Sequence, residues 1–145
     1  MAQALLKAVL SGEYQQGVRL FEAMRRPGAQ DFRWGGVCHL HLSDVLKARR
    51  LLLTAVAKGD QAARVDLATC LRFEGEFAAA RAQLDALDVD QMAARDAALA
   101  LREAAILEQQ CGEVARAAAL LDEAWSHAVG ASPLVQSAVA QSIAL

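Results

Sequence analysis

The 145-residue sequence has few of the residues that interrupt helices or favour strands. It contains only two prolines, and β-branched residues are few beside its thirty-three alanines. Alanine is the residue that a helix accommodates at the lowest free-energy cost, whereas proline breaks a helix. The composition therefore predicts an all-α protein. Its length suits one domain, spanning residues 1–145, with a sizeable core.

The sequence also lacks cysteine pairs and long apolar runs. Cys38, Cys70 and Cys111 form no CxxC motif, so we expect three reduced, buried thiols in a reducing compartment. No uninterrupted apolar run approaches the roughly 20 residues of a membrane span, and the opening MAQALLKAVLSGEY lacks the basic start of a signal peptide. These features predict a cytoplasmic protein without membrane contact.

Charge of one sign is not in excess over the whole chain, but it is unevenly distributed. The net charge is −2; residues 1–58 carry nine Lys/Arg and four Asp/Glu (+5), and residues 59–145 carry six and thirteen (−7). The overall balance makes a general polyanion binder unlikely, and the basic residues of the first part are more typical of a solvated face than of a nucleic-acid site. The asymmetry itself could orient the chain against a partner or a second copy.

Four short stretches repeat one pattern of a small residue, an acid, and then an apolar or aromatic residue. They are SGEY (11–14), LSDV (42–45), EGEF (74–77) and CGEV (111–114). Three positions after each stretch stands a small residue: Gly17, Ala48, Ala80 and Ala117. Glycine ends a helix in the left-handed conformation at no steric cost, and the acid complements the amino end of the next helix. A small residue one turn later lets two antiparallel helices cross closely.

The spacing of these turns, with the breaks between them, predicts nine helices. We place them near 2–11, 14–26, 31–42, 45–57, 61–73, 77–87, 91–110, 114–128 and 133–145. Asp60 and Asp90 are expected to cap the helices that follow them, and Ser132-Pro133 to begin the last one. The helices group into four hairpins, 1–28, 29–59, 60–89 and 90–130, and a final helix at 133–145.

The pattern resembles the tetratricopeptide repeat, a helix-turn-helix unit of about 34 residues. The second copy matches best: Trp34, Gly36, His39, Ala48 and Ala55 fall at the spacings of the family's aromatic, glycine, tyrosine and two alanines. Here a histidine replaces the tyrosine, and a serine replaces the glycine of the turn.

The resemblance implies a right-handed α-solenoid of about four antiparallel helix hairpins plus a C-terminal helix. It also implies a non-catalytic scaffold for protein–protein interaction that needs no cofactor, within a regulatory protein that could be longer than this chain. One group in the family binds peptides ending in EEVD through lysine, asparagine and arginine side chains. Asparagine is absent from this sequence, so that mode of binding is not expected.

The stretch WGGVCHLH (34–41) is the densest candidate for chemistry. Cys38 and His41 share a helical face as metal ligands can, but a closed zinc site needs four ligands and no second pair is visible. No Gly-Lys-Ser/Thr follows the glycines, as a phosphate loop requires, and no nucleophile-elbow serine accompanies the histidines. We therefore expect no metal site and no catalytic residue, so the chain is not predicted to be an enzyme. The sequence offers no reason for a glycine at position 35.

The concave face is the predicted binding site, because the first helix of each hairpin lines it in the family. Helical spacing selects seven residues for this groove: Arg33, Val37, His41, Thr69, Arg72, Arg102 and Ile106. Arginines among apolar positions suit an acidic peptide or partner helix. The alternative is that these arginines pair with acids on neighbouring helices.

The last segment, LVQSAVAQSIAL (134–145), carries no charge. The terminal helix of a solenoid normally presents a polar outer face, so this one predicts a further layer. Either the parent protein continues, or the helix mediates homo-oligomerisation. Self-association is thus the main alternative to peptide binding, and a small-molecule sensor or α-helical enzyme with a ligand against Cys38 and His41 is the less favoured one.

Overall fold

The computed structural model describes residues 2–129 and 133–143, and in them every regular element is helical. The helices are α1 (Ala2–Leu10), α2 (Tyr14–Glu22), α3 (Ala29–His41), α4 (Val45–Ala57), α5 (Ala63–Phe73), α6 (Phe77–Asp85), α7 (Ala94–Gln110), α8 (Val114–Ala128) and α9 (Pro133–Ile143). A single 3-10 turn, Val89–Gln91, precedes α7. The all-α prediction is confirmed. Among the described residues no helix is both long and apolar enough to cross a membrane.

Among the described residues the predicted helix boundaries lie within two residues of the structure, except at the end of α2, predicted at residue 26 and found at Glu22, and at the start of α7. Predicted from residue 91, this helix begins at Ala94, after the 3-10 turn. The cap predicted at Asp90 is wrong, because Asp90 lies inside that turn and donates its amide to the Asp88 carboxylate at 3.2 Å. Asp60 does accept the Ala63 amide at 3.3 Å, whereas the predicted cap Ser132 lies outside the described residues.

The four repeated turns share one backbone geometry. The residue before each acid is left-handed, with φ of 75° at Gly12, 65° at Ser43, 78° at Gly75 and 84° at Gly112. The acids that follow have φ between −95° and −87° and ψ between 64° and 75°. In the first turn the Glu13 amide donates to the Ala8 carbonyl at 2.8 Å and the Gly12 amide to Val9 at 3.1 Å. This is the Schellman arrangement, which satisfies carbonyls at the end of a helix.

The contacts between helices divide the chain into two compact units, residues 1–74 and 75–145. In the first unit each of α1 to α5 packs against the next, and α3 also contacts both α1 and α5. In the second unit α6 packs on α7, α7 on α8 and α8 on α9, and α7 also contacts α9. In the first unit, therefore, the first helices of successive predicted hairpins touch one another, and in the second unit the first helix of the fourth hairpin touches the final helix.

The small residues of the repeat are buried as predicted. Gly17 is buried, Ala48 and Ala80 are 0% exposed, and Ala117 is 4% exposed. A Cβ atom at Gly17 would collide with the Cys38 sulfur. The helices at these positions approach too closely for larger side chains.

The second unit has its own apolar core, and α9 contributes to it. Val135 and Val139 are 4% and 0% exposed and pack with Ala98, Ala124 and Ala128. Both valines belong to the uncharged segment 134–145, whose sequence predicts a further layer. For these two residues that expectation is wrong, because α7 and α8 already cover them.

Candidate binding surface

Arg33 lies on α3 between an acid and an aromatic ring. Its Nε atom is 3.0 Å from an Asp66 carboxylate oxygen on α5, and its guanidinium lies 4.5 Å from the centre of the Trp34 ring. The Arg33 side chain is 13% exposed and that of Asp66 is 23% exposed. The pairing of groove arginines with neighbouring acids, which we had left open, thus occurs at this position.

The other two predicted positions on α3 differ in exposure. Val37 is buried, so its side chain belongs to the core and not to the accessible surface. His41 is exposed, and its ring stacks on that of Tyr14 with centroids 4.2 Å apart and planes 1° from parallel. Of the two, only His41 presents substantial surface to a partner.

At the carboxyl end of α5, the predicted Arg72 lies beside an exposed aromatic residue. Phe73 is 58% exposed, and the Arg72 guanidinium lies 4.8 Å from the centre of its ring. One turn earlier, the Thr69 hydroxyl donates to the Val65 carbonyl at 3.2 Å. Arg72 and Phe73 thus form a cation–π contact at the carboxyl end of α5.

The predicted positions in the second unit lie on α7. Arg102 donates from Nε to the Ala138 carbonyl of α9 at 3.2 Å, and Ile106 is half-buried. Arg102 therefore ties two helices of this unit together.

An ion pair of the second unit has no counterpart in the sequence prediction. Arg81 on α6 donates from Nε to the Glu108 carboxylate of α7 at 2.8 Å, and the Glu108 side chain is only 5% exposed. The hydrogen bond and the charge of Glu108 raise the pKa of the Arg81 guanidinium above its ordinary value. In the sequence, the only signal for this ion pair was the presence of an acid, Glu108, within the apolar stripe of α7. Its partner Arg81 lies 27 residues earlier in the chain.

A cavity of about 120 Å³ lies beside this ion pair. Its walls are mostly apolar, with Leu84, Leu101 and Leu107 among the lining residues, and Arg81 and Arg116 also line it. Its size is comparable to that of a cavity that holds one benzene ring, on the order of 150 Å³.

Cys38 and His41, the two candidate metal ligands of WGGVCHLH, lie in different surroundings. Cys38 is fully buried against Gly17, and burial raises the pKa of its thiol from 9.0 to about 11. His41 is exposed. Within residues 2–129 and 133–143, no three His, Cys, Asp or Glu side chains are grouped as metal ligands. The expectation of three buried thiols is confirmed for Cys38 and Cys70 and is wrong for Cys111, which is exposed.

The structure explains the adjacent glycines of α3. A Cβ atom at Gly36 would come within 2.7 Å of Leu52 and 3.3 Å of the Ala48 carbonyl oxygen, as expected for a close contact between the helices of one hairpin. A Cβ atom at Gly35 would lie 2.8 Å from the Phe21 ring. Gly35 therefore makes room for an aromatic ring of α2, which sequence spacing alone did not indicate.

Comparison of the chain with family models, with curated proteins and with solved structures gave no match.

Proposed function

We propose that this chain is a non-catalytic protein-interaction module built from tetratricopeptide-like hairpins. Two features of the structure support a right-handed solenoid of about four hairpins and a final helix. The four turns share one backbone geometry, and α3 contacts α1 and α5, as α9 contacts α7. Successive first helices in contact form the layer that lines the groove in a helical-repeat protein.

The binding surface of the proposal lies on the first unit, where α3 and α5 pack together. The observation that carries it is a pair of arginine–aromatic contacts on these helices, Arg33 with Trp34 and Arg72 with Phe73. Tryptophan, tyrosine and arginine supply much of the binding energy at protein interfaces. These contacts suit a peptide or helix with an apolar anchor for Phe73 and carboxylates for the arginines.

Arg33 and Arg72 have different roles in this proposal. Arg33 already forms an ion pair with Asp66, so a ligand carboxylate would share or displace that partner. Arg72 lies over the exposed ring of Phe73 and contributes a positive charge at the carboxyl end of α5.

The test is capture of partners from the source cells, followed by affinity measurement with the captured segment. We expect Arg72→Glu to weaken binding at least tenfold, because it replaces an attractive charge by a repulsive one beside the exposed Phe73 ring. The double change Arg33→Glu plus Arg72→Glu should abolish capture. Arg25→Glu plus Arg26→Glu is the matched control, since both arginines are exposed outside helices.

Circular dichroism must first show that every variant retains its helices, since Arg33→Glu faces Asp66. Recovery of the same partners in the same yield by the folded double variant would refute a groove on α3 and α5. Loss of capture by the control as well would indicate a general effect of charge.

A further inference from the structure

The outer face of α4 carries an apolar row interrupted by one cation. Leu46 is 70% exposed and Leu53 is 47% exposed; Arg50 and Ala57 complete the row and are also exposed. The intervals of four, three and four residues place all four side chains on one helical stripe. Lys47, beside this row, adds a second exposed positive charge.

The outer face of α8 continues into Val129 and carries a row with the same intervals and the opposite charge. Its members are Ala118, Asp122, Trp125 and Val129, all exposed; Trp125 is 39% and Val129 62% exposed. Val114, one turn before Ala118, is 68% exposed and extends the stripe.

Isolated exposed apolar side chains are ordinary, whereas a continuous apolar stripe marks an interaction surface. Eight large apolar side chains are exposed among the described residues, and five of them lie on these two rows and their extension. Neither row belongs to the α3–α5 surface proposed above.

We propose that the α4 row of one copy binds the α8 row of a second copy, with the two helices parallel. In this register one pair of opposite charges and three apolar pairs face each other across the contact. In two of the three apolar pairs a larger side chain meets an alanine. The pairs are Leu46 with Ala118, Arg50 with Asp122, Leu53 with Trp125, and Ala57 with Val129. An antiparallel arrangement would instead place Leu53 against Asp122.

The charge distribution identifies a second copy as the occupant. Residues 1–58, which include α4, carry +5, and residues 59–145, which include α8, carry −7. Each copy therefore presents both complementary surfaces, and opposite fields steer them together. Different patches meet, so the contact is heterologous and joins copies head to tail.

The association is weak and depends on concentration. Each row extends over 12 residues, or about 16 Å of helix. Such a contact buries less than the ~1,200 Å² at the lower end of stable interfaces. Salt weakens the association because its specificity depends on exposed charges.

Sedimentation velocity over a series of concentrations, at low and high salt, tests this proposal. The wild-type chain should exceed its monomer mass of 15.5 kDa as concentration rises, and less so at high salt. Arg50→Glu and Asp122→Arg should each remain monomeric. An equimolar mixture of these two variants should associate, because every contact then joins Arg with Asp or Glu with Arg.

Trp125→Ala tests the apolar part of the row and should also weaken association, with retained helicity because the side chain is partly exposed. Arg25→Glu is the matched control and should associate as the wild-type chain does. Arg72→Glu should also associate like the wild type, because Arg72 belongs to the α3–α5 surface and not to either row. The proposal is overturned if the wild type stays at 15.5 kDa throughout, if Arg50→Glu and Trp125→Ala associate like the wild type, or if the mixture stays monomeric.

Discussion

At the scale of single residues, side-chain size decides how closely the helices pack. Gly36 and Ala48 lie where α3 and α4 are closest, and Leu52 fills the space above Gly36 without any exposed surface. The need for small residues could be predicted, because it recurs at one position in every repeat. The reason for Gly35 could not, since it depends on where the Phe21 ring of another helix lies.

We predict that Gly36→Ala destabilises the protein, although alanine favours helix. Overpacking costs about 1–3 kcal/mol, which exceeds the helix-propensity gain of up to ~1 kcal/mol, because the added methyl group meets buried Leu52 and a backbone oxygen. Chemical denaturation measures the change. Gln30→Ala, at an exposed position of the same helix, is the control and should leave the free energy of unfolding unchanged. If Gly36→Ala were as stable as the wild type, α3 and α4 could not pack closely at Gly36.

At the scale of elements, local signals set the helices and their turns. Glycine followed by an acid marked three of the four repeated turns, and the structure forms the fourth at Ser43 with the same left-handed geometry. The start of α7 was misplaced because VDQ adopts a 3-10 turn, a local choice that helix propensity does not distinguish from a first helical turn.

Ser43 is the only residue other than glycine with positive φ among those described, and we predict that Ser43→Gly stabilises the protein. Glycine adopts this conformation without the steric cost of a Cβ atom, which for other residues is about 1 kcal/mol or more. We therefore expect a gain of about 0.5–1 kcal/mol in the free energy of unfolding.

The control for this change is Ser11→Gly in the equivalent turn. Ser11 precedes the left-handed Gly12 and does not itself have positive φ, so additional glycine there only increases the freedom of the unfolded chain. It should leave stability unchanged or lower it. A stability loss for Ser43→Gly comparable to that of Ser11→Gly would contradict the prediction.

At the scale of the whole molecule, the chain forms two compact units with a boundary in the turn between α5 and α6. The second unit depends on Val135 and Val139 of α9, which sequence analysis had assigned to an open surface. Apolar residues of a terminal helix look the same in sequence whether they cover a neighbouring helix or await a partner. One continuous solenoid remains a prediction of the repeat pattern.

The stability of the whole chain should fall between pH 9 and pH 11 through Cys38. Below pH 9 the thiol is protonated in both the folded and the unfolded chain. Between pH 9 and 11 only the unfolded chain releases this proton, because burial raises the folded pKa to about 11. Unfolding is therefore favoured increasingly across this window, by about 2 kcal/mol at its upper end.

Denaturation at each pH, compared between wild type and Cys38→Ala, isolates this contribution from the lysines and tyrosine that titrate nearby. The wild type should lose stability more steeply than the variant between pH 9 and pH 11. Parallel curves for the two proteins would contradict a buried, protonated thiol at this position.

Residue order was sufficient to predict the helices, the repeated turns and the small residues between them, because these depend on neighbours within one or two helical turns. Only the tertiary structure showed that Arg33 pairs with Asp66, that Arg81 pairs with Glu108, and that the α4 and α8 rows remain uncovered. These properties depend on residues distant in the chain, and packing alone determines which of them meet.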